Sequence, residues 1–398
     1  MKIIYYSPHP THDIVSEVGY ATHQREVINA LKKLGHQVLP VIMGGTEKGN
    51  LSSAGIPAPK NSFKAKIKHF IPRFIWTSLK DFQLMQHDRL AAQKLEEAII
   101  AFQPDLIYER SEYLQDRGVA IIKKHKIKYF LEINAPFAEE MNGFEGYSIW
   151  HTIAHKKEQN KNNQADQIFV VSSALKTFVE NTYHISSSKI IVQPNCINLE
   201  NVKTDELKIR EIKSMYQLEV KKVIGFVGSI FPHHGVDILI DAFTIVAKVH
   251  PDALLLIVGD GSIINDLTAR VNSNGMANKV CFAGKHDHSA VFNFIAVMDM
   301  CVMAKSNWYG SPIKIFEYGA MHKPVIAPNT APVRDVMENK VNGLVVEMNE
   351  VKMAEAIQTL LDNPALGSTL SNKFYSDITQ QYTWEIAAQN IIYAFSKN

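Results

Sequence analysis

The stretch from residue 307 to residue 346 carries the residue types best suited to chemistry, and it reads NWYGSPIKIFEYGAMHKPVIAPNTAPVRDVMENKVNGLVV. A polar loop there precedes a predicted helix that begins at about residue 313. Backbone N–H groups at a helix start lack intrahelical partners and lie at the positive end of the helix dipole, so they favour phosphate. We therefore predict that a diphosphate binds at this turn, in contact with Tyr309, Gly310, Ser311, Pro312 and Ile313.

Lys314 and Glu317 would lie on one face of the same helix, one turn apart. A cation in the first turn is unfavourable for the helix unless an anion is nearby, so Lys314 indicates a bound phosphate. A carboxylate one turn further on can accept two hydrogen bonds from a ribose diol, which is the role predicted for Glu317. The alternative is an ordinary Lys–Glu pair without a ligand.

The first half of the chain offers a second group of candidates. In the predicted strand segment YFLEINAP, Glu132 and Asn134 point to the same side because side chains alternate along a strand. Asn134 cannot act as a base, although it can hydrogen-bond a ligand hydroxyl, whereas Glu132 could do either. The alternative for Glu132 is a buried carboxylate that caps a loop.

Other candidates lie on predicted loops in the first half. Gly19, followed by Tyr20, would let the backbone approach a phosphorylated ligand closely, since glycine has no Cβ, although it could also be a simple turn glycine. The remaining polar candidates are predicted to face a second substrate: Arg110, Glu112, Glu139 and Glu140. His9, His12 and His23 could contact substrate, but surface or capping roles are more common for isolated histidines.

No metal site is predicted. The chain has no D-x-D motif, which is a common clamp for Mn²⁺ and diphosphate. Several histidines fall in loops without metal-ligand spacing: His233, His234, His286 and His288. Cys196, Cys281 and Cys301 are widely separated, which argues against a disulfide framework and a structural zinc site.

The elements that position these residues alternate between strands and helices, as in doubly wound α/β domains. In the second half the strands are almost wholly apolar, which is typical of parallel sheets covered on both faces. The predicted strands are 2–6, 37–42, 105–108, 128–133, 167–171, 223–227, 253–258, 280–283, 300–303 and 324–327. The fold class is therefore α/β, with two Rossmann-like doubly wound domains facing each other across a ligand cleft.

The length of 398 residues also favours two domains, because single cores stop growing at roughly 250 to 300 residues. We predict an N-terminal domain at 1–200, a linker at 201–220 and a C-terminal domain at 221–383, with a last helix at 384–398 that packs back on the first domain. The N-terminus reads as a strand and not a signal peptide, so we expect a cytoplasmic protein. The net charge of +2 is too small to indicate nucleic-acid binding.

Residues 60–80 interleave basic side chains with aromatic and aliphatic ones. Such a segment can lie on an anionic membrane surface, which would make the protein peripheral on the inner face of the cell membrane. The alternative is a solvated helix at the edge of the domain, and Pro72 would interrupt any single long helix.

Taken together, the motifs resemble those of glycosyltransferase family 4, a retaining family with the GT-B fold. SPIKIFEYGAMHKPVIA is similar to the donor-binding helix and next strand, and GFVGSIFPHHGVDILIDAF to the strand, phosphate loop and helix that open the C-terminal domain. LLLIVGDG resembles the following strand and turn, and GYATHQREVINALKKLGHQV the first loop and helix of the N-terminal domain. VQPNCIN and YTWEIAAQNIIYAF resemble the segments at the domain crossings.

The resemblance implies further donor-binding positions: Ser229, His234, Gly259, Gly284, Lys285 and His286. Many relatives carry a histidine where this chain has Asn134. Ser229 and His234 stand where the family usually has Arg and Lys, and Tyr309 stands in place of a Glu. We expect Lys314 to supply the missing positive charge; the alternative is weakened donor binding or an inactive relative.

The resemblance implies a metal-independent transferase of hexosyl or N-acetylhexosaminyl type that needs no cofactor. Its donor would be a nucleotide sugar, with a UDP-sugar favoured, and its acceptor a saccharide or lipid-linked saccharide used for surface polysaccharide. Three alternatives stay open: a sugar-nucleotide epimerase of the same fold, a non-catalytic bilobal sugar-binding protein, and a silent partner of another transferase.

Overall fold

The computed structural model describes residues 1–16, 18–46, 72–144 and 146–397. The chain forms two compact units. The first unit consists of Met1–Gln193 together with the residues from Ala387 onward, and the second consists of Pro194–Ile386.

The first unit is built around a six-stranded sheet in the order β2-β1-β3-β4-β5-β6, with every neighbouring pair parallel. Its strands are β1 Lys2–Ser7, β2 Gln37–Ile42, β3 Leu106–Arg110, β4 Lys128–Ile133, β5 Gln167–Val170 and β6 Ile190–Val192. Its helices are α1 Gly19–Lys33, α2 Arg73–Phe102, α3 Arg117–His125, α4 Phe137–Phe144, α5 His151–Gln164 and α6 Ser173–Tyr183, and the last helix of the chain, Trp384–Lys397, joins them from Ala387 onward.

The second unit repeats the plan with a six-stranded parallel sheet in the order β12-β11-β10-β7-β8-β9. Its strands are β7 Lys222–Val227, β8 Ala253–Val258, β9 Val280–Gly284, β10 Met300–Val302, β11 Val325–Pro328 and β12 Leu344–Val346. The α-helices from here to the C-terminus are α7 Glu206–Tyr216, α8 Val236–Val246, α9 Ile264–Ser273, α10 His288–Ala296, α11 Ile313–Ala320, α12 Ala331–Arg334, α13 Glu350–Asp362, α14 Pro364–Gln381 and α15 Trp384–Lys397.

The apolar character of the strands is explained by cover on both faces of each sheet. Every residue of β8, ALLLIV, is buried. Leu254 and Leu256 pack into the hydrophobic cluster on one face of the sheet, while Leu255 and Ile257 pack into the cluster on the other. The predicted α/β class with two Rossmann-like units is confirmed.

In each sheet the strand order reverses next to the first strand, which in open α/β sheets is where ligands bind, beyond the carboxyl ends of the strands. In the first unit this point lies between β1 and β3, and in the second between β7 and β10. The loops that follow these four strands carry several of the candidate residues, among them Glu112, Ser229 and residues 309–312.

The predicted linker at 201–220 differs from the structure, in which it belongs to the second unit. The Asp205 carboxylate caps α7 by accepting from the Leu207 N–H at 2.8 Å, and the Asp205 N–H donates to Asn293 Oδ1 at 2.7 Å. Ile212 is buried on the inner face of the helix. The polar composition favours a linker here, but the buried Ile212 and Leu218 and the capped helix dock the segment on the second unit.

The chain enters and leaves the second unit at neighbouring points. Ile197, close to the entry, forms an isolated parallel bridge with Thr383, close to the exit. The Ile197 N–H donates to the Tyr382 carbonyl at 2.9 Å, and the Trp384 N–H donates to the Ile197 carbonyl at 3.3 Å. The two ends of this unit are therefore joined by backbone hydrogen bonds.

The basic and aromatic segment at 60–80 is described only in part, since residues 60–71 lie outside the described residues. Pro72 is the N-cap residue of α2, which then runs without interruption from Arg73 to Phe102. Among the described residues, no helix is long and apolar enough to cross a membrane.

Candidate functional site

In the second unit, two glycines bring the loops after β7 and β8 together. Gly228 and Gly259 have φ values of +139° and +145°, which side chains with a Cβ rarely adopt. A Cβ on Gly259 would lie 1.9 Å from the Gly228 carbonyl oxygen. Only glycine fits at position 259. The close packing of the two loops is therefore enough to require this glycine, whether or not a donor binds there.

Lys314 places its ammonium group beside the loop after β7. A Cβ built on Gly228 would lie 2.9 Å from the Lys314 Nζ, and the Nζ lies 4.3 Å from the centre of the Phe226 ring. The Nζ is buried, and it makes no hydrogen bond within the part of the chain that the structure describes. Burial lowers the pKa of Lys314 to about 8, and the nearby Glu317 offsets this only in part. An unpaired buried cation is costly, so the position favours an anion.

Glu317 lies one turn further along α11 and is also buried, with 7% of its surface exposed. Its Oε1 lies 2.7 Å from Nε2 of His288, the first residue of α10. No sequence pattern predicts this contact of His288. The histidine orients the carboxylate next to the Lys314 helix start, where the ribose was predicted.

Tyr318 fixes α11 to the end of β7 and was not predicted as a site residue. The Val227 N–H donates to the Tyr318 hydroxyl at 2.9 Å, and the hydroxyl donates to the Val227 carbonyl at 3.4 Å. Val227 directly precedes Gly228, so this tie holds Lys314 in register with the glycine loop.

Part of the turn before α11 is already hydrogen-bonded within the protein. The Gly310 N–H donates to Asn307 Oδ1 at 2.6 Å. Asn195 binds Ser311 twice, through its N–H to the Ser311 Oγ at 3.0 Å and through its Nδ2 to the Ser311 carbonyl at 2.6 Å. Pro312 is the N-cap residue and has no N–H, and no side chain caps the helix. Of the predicted turn, the start of α11 from Ile313 is the part best suited to an anion.

Tyr309, in the same turn, is almost fully buried and packs edge-on against Trp308. It occupies the position at which the family usually has a Glu. A tyrosine provides no carboxylate, so this position cannot accept hydrogen bonds from a ligand in the way that a Glu would.

The remaining donor candidates follow β7 and β9. His234 is not a cation near neutral pH, because burial and the Lys314 ammonium lower its pKa to about 4. Its Nδ1 contacts the Ser229 carbonyl at 2.5 Å. Gly284 has φ +77° and accepts from the Gly259 N–H at 2.8 Å. Lys285 and His286 are exposed, and the His286 ring lies against Phe294.

In the first unit, Glu132 is the centre of a buried polar network at the end of β4. Its Oε1 contacts His23 Nε2 at 2.9 Å, Arg110 Nη1 at 3.0 Å and Asn134 Nδ2 at 2.6 Å, and its Oε2 accepts from the Tyr108 hydroxyl at 2.8 Å. Burial opposes ionisation of Glu132, but His23 and Arg110 together with Asn134 outweigh it and lower its pKa to about 2. A carboxylate held by four groups is a poor proton acceptor.

Arg110 was predicted on a loop, but it is the buried last residue of β3. It bridges Glu132 and Glu112, with its Nε 3.7 Å from Glu112 Oε1. Glu112 is buried too, and it accepts from His12 Nδ1 at 2.8 Å. Burial raises the pKa of Glu112, but the neighbouring His12, His9 and Arg110 lower it more, so the net shift is downward.

Three rings stack above this network. The His9 and His12 centroids lie 3.9 Å apart, and the His12 and Tyr20 centroids lie 4.4 Å apart. Gly19 is the first residue of α1, so the predicted glycine loop ends where the helix begins. Gly44 was missed by the sequence analysis: a Cβ there would lie 2.3 Å from the His12 backbone. This contact holds the His12 loop near the sheet edge.

Glu139 and Glu140 lie on α4. Glu139 Oε1 lies 3.4 Å from His155 Nε2 on α5. The structure therefore groups Arg110 and Glu112 with Glu132 and Asn134, and separates Glu139 from them.

Models of known protein families match segments in both units. A model described as Glycosyltransferase Family 4 matches residues 19–201, and one described as Glycosyl transferases group 1 matches residues 221–363. Together they span most of the chain.

Curated relatives are similar over part of their length. An α-D-kanosaminyltransferase of Streptomyces kanamyceticus is 27% identical over 162 residues, which are 40% of this chain and 42% of the relative. A GDP-mannose-dependent monoacylated α-(1-6)-phosphatidylinositol monomannoside mannosyltransferase of Corynebacterium glutamicum is 28% identical over 195 residues, 47% of this chain and 50% of the relative. The chain thus spans about half the length of the curated relatives it matches.

Solved structures share the fold over the full chain. The Anabaena protein HepE in complex with UDP aligns with a TM-score of 0.73 and 16% identity, covering 100% of both chains. Sucrose-phosphate synthase of Thermosynechococcus elongatus aligns with a TM-score of 0.71 and 16% identity, covering 100% of this chain and 98% of that one. At these identities the likeness shows the fold alone.

Proposed function

Because the chain belongs to glycosyltransferase family 4 and has the GT-B fold, we propose that it transfers a sugar from a nucleoside-diphosphate sugar to a hydroxyl of a saccharide or lipid-linked saccharide. We favour a UDP-sugar as donor, a hexosyl or N-acetylhexosaminyl group as the sugar moved, and retention of configuration at the anomeric carbon. Neither metal nor cofactor is required in this proposal.

The observation that carries the proposal is the buried ammonium of Lys314 beside Gly228. It has no hydrogen-bond partner among the described residues, while Glu317 lies one turn away and is oriented by His288. A diphosphate over the loop after β7 would neutralise the ammonium, and the ribose hydroxyls would bind the carboxylate. His234, with a pKa lowered to about 4, cannot supply this charge near neutral pH.

The proposed reaction forms a bond from the acceptor oxygen to the anomeric carbon and breaks the bond from that carbon to the diphosphate. Negative charge grows on the departing phosphate, where Lys314 and the start of α11 stabilise it. The acceptor hydroxyl attacks on the face that the diphosphate leaves, and its proton passes to a phosphate oxygen. No covalent nucleophile takes part.

In the first unit, we assign Asn134 to binding a sugar hydroxyl. Glu132 already holds His23, Arg110 and Asn134, so its role is to orient them and not to take a proton. Arg110 and Glu112 form the acceptor side with it, while the contact of Glu139 with His155 separates that residue from the group.

The test is nucleotide release from a panel of UDP-, GDP- and ADP-sugars, with analysis of the sugar product. We expect one donor to give free nucleotide and a glycosylated acceptor. Conversion of the donor into its epimer would instead identify an epimerase, and nucleotide binding without turnover would identify a non-catalytic protein. Absence of nucleotide affinity would end the proposal.

Substitutions make this test specific to the site. Lys314→Met should lower kcat/KM by roughly 100-fold or more, the range typical for loss of one donor that stabilises transition-state charge. Lys352→Met is the matched control, because Lys352 and Glu355 form an exposed pair with the same spacing in the same unit. Cys196→Ser should leave turnover nearly unchanged.

We further propose that the acceptor is lipid-linked and that the protein lies at the anionic inner face of the cell membrane. Ile75 and Leu79 are 39% and 50% exposed on one face of α2, next to Phe74 at 46%. Arg73 and Lys80 flank them and complement anionic headgroups.

Sedimentation with lipid vesicles tests this proposal. Vesicles rich in phosphatidylglycerol should bind the protein, and phosphatidylcholine vesicles should not. The double variant Ile75→Asp with Leu79→Asp should bind the vesicles more weakly. The single variant Leu90→Asp, at an exposed position later in the same helix, should bind like the wild type. Equal binding by both variants would contradict the proposed surface.

A further inference from the structure

The first unit holds a cluster of two histidines and one carboxylate that the proposed transfer reaction does not use. Glu139 lies on α4, and His151 and His155 lie one turn apart on the same face of α5. One ligand atom from each residue lies within 4.8 Å of the other two. The two imidazole rings meet edge-to-face, with centroids 4.7 Å apart.

The hydrogen bonds of Tyr183 indicate which nitrogen of His155 carries a proton. Its Nδ1 lies 3.4 Å from the Tyr183 hydroxyl, which donates its one proton to the buried Glu158 carboxylate at 2.5 Å. The tyrosine oxygen can therefore only accept from His155, so Nδ1 carries a proton. The other ring nitrogen, Nε2, lies 3.4 Å from Glu139 Oε1 and is the one available to a cation. Metal-binding histidines are commonly oriented by such an outer hydrogen bond.

His151 supplies an independent observation. Its Nε2 is buried and makes no hydrogen bond in the described part of the chain. A buried polar atom without a partner costs free energy unless a ligand satisfies it. A cation that bound through this nitrogen would satisfy it, and His155 Nε2 and Glu139 Oε1, which lie 3.4 Å apart, could bind the same ion.

We propose that Glu139, His151 and His155 bind a divalent transition-metal ion, Zn²⁺ in the first instance, with the remaining coordination open to water. Two imidazoles and one carboxylate suit Zn²⁺, Co²⁺ or Ni²⁺, whereas Mg²⁺ and Ca²⁺ prefer oxygen ligands. The ion would join α4 to α5 and take no part in the transfer step.

This joining has a structural consequence close to the candidate site. The helix α4 begins soon after β4, and the Ala138 N–H in its first turn already donates to Glu158 Oε1 on α5 at 2.8 Å. Metal binding would add a second link between the same helices. It would thereby restrict the segment that follows Asn134.

The experiment uses untagged full-length protein freed of metal with a chelator and then titrated with Co²⁺ and Zn²⁺. We expect one ion per chain, seen as visible Co²⁺ absorption that Zn²⁺ displaces, and a rise in melting temperature with saturating Zn²⁺. His151→Ala and His155→Ala should abolish both signals, and Glu139→Gln should weaken binding by about tenfold or more.

The matched control is His125→Ala. His125 Nε2 contacts Glu96 at 3.3 Å and is similarly exposed, but no second histidine is part of that pair. This variant should bind metal like the wild type. Absence of binding by the wild type, or unchanged binding in the His151 and His155 variants, would overturn the proposal, and circular dichroism of each variant checks its fold.

Discussion

Lys314 combines a buried ammonium group with a pKa lowered to about 8, and this makes its charge sensitive to mildly alkaline pH. Binding of an anionic donor favours the protonated form. The ammonium lies beside Gly228, so the proton it carries and the phosphate it would bind are coupled. The pH dependence of nucleotide affinity therefore tests the proposed role of this residue.

The affinity for UDP should therefore fall as pH rises from 7 to 9. Below pH 8 the free protein already carries the charge, whereas above it binding must take up a proton, which weakens affinity by up to about tenfold per pH unit. Isothermal titration calorimetry in buffers of different ionisation enthalpy measures both effects. In Lys314→Met the affinity should be low and nearly independent of pH, and an unchanged pH profile would contradict the role of Lys314.

Glu132 leads to a prediction in the opposite pH range. Its pKa is lowered from 4.5 to about 2, so its contribution to stability is present above pH 4.5 and is lost as pH falls through this window. Glu132→Gln should lower the free energy of unfolding at pH 7 by about 3 kcal/mol or more, since Arg110 and His23 lose their buried partner.

Urea unfolding at pH 7, 4.5 and 3 measures this change. The Glu132 variant should lose less additional stability on acidification than the wild type. Glu355→Gln, which removes an exposed partner of Lys352, should follow the wild type. Parallel acid profiles for wild type and Glu132→Gln would show that the carboxylate is not ionised in the buried network.

At the scale of elements, Tyr318 links α11 to β7 through two hydrogen bonds to Val227. The helix carries Lys314 and Glu317, and the strand leads into the glycine loop. Their relative position thus depends on one hydroxyl group as well as on apolar packing.

Tyr318→Phe should raise KM for the donor several-fold and reduce stability by about 1 to 3 kcal/mol, because it leaves the buried Val227 N–H without a partner. Steady-state kinetics at varied donor concentration and thermal unfolding measure the two effects. Tyr382→Phe removes a similar bond, from a hydroxyl to the Asp335 carbonyl at 3.2 Å, away from the glycine loop. It should affect stability but not KM; equal effects on KM would contradict the linking role.

The sequence predicts some elements well because the signal is local. The strands β4 and β8 have the predicted bounds, and α11 begins at Ile313 as its turn and apolar spacing indicate. The sequence does not predict which distant residues contact the site residues. Asn195 binds Ser311 from 116 positions away, and no local pattern records such a pairing. The same holds for the contact of His23 with Glu132, which joins the first turns of α1 to the end of β4 across 109 positions of the sequence.

On the scale of the whole molecule, the residues proposed to bind the donor belong to the second unit, Pro194–Ile386, except Gly19 and Tyr20 of the first unit. This unit has its own six-stranded sheet and hydrophobic clusters on both faces. The first unit, in contrast, depends on both ends of the chain, and the last helix contributes the buried residues Ala387, Ala388, Ile391 and Ala394.

A fragment of residues 194–386 should therefore fold and bind UDP with an affinity within about tenfold of the full chain, since a unit with its own core can fold alone. Circular dichroism and calorimetry measure this. A fragment of residues 1–193 should fold poorly, because it lacks the last helix. Loss of UDP binding by the folded 194–386 fragment would show that the donor site needs residues of the first unit.

The bridge between Ile197 and Thr383 places the two ends of the second unit side by side. A segment whose two ends are adjacent can be replaced as one piece, called a cassette here. The new segment has only to begin and end at points with the same separation. Transplanting such a cassette from a relative of different donor preference would leave the host's acceptor side unaltered. The same adjacency offers a site for circular permutation, with new termini opened in an exposed loop.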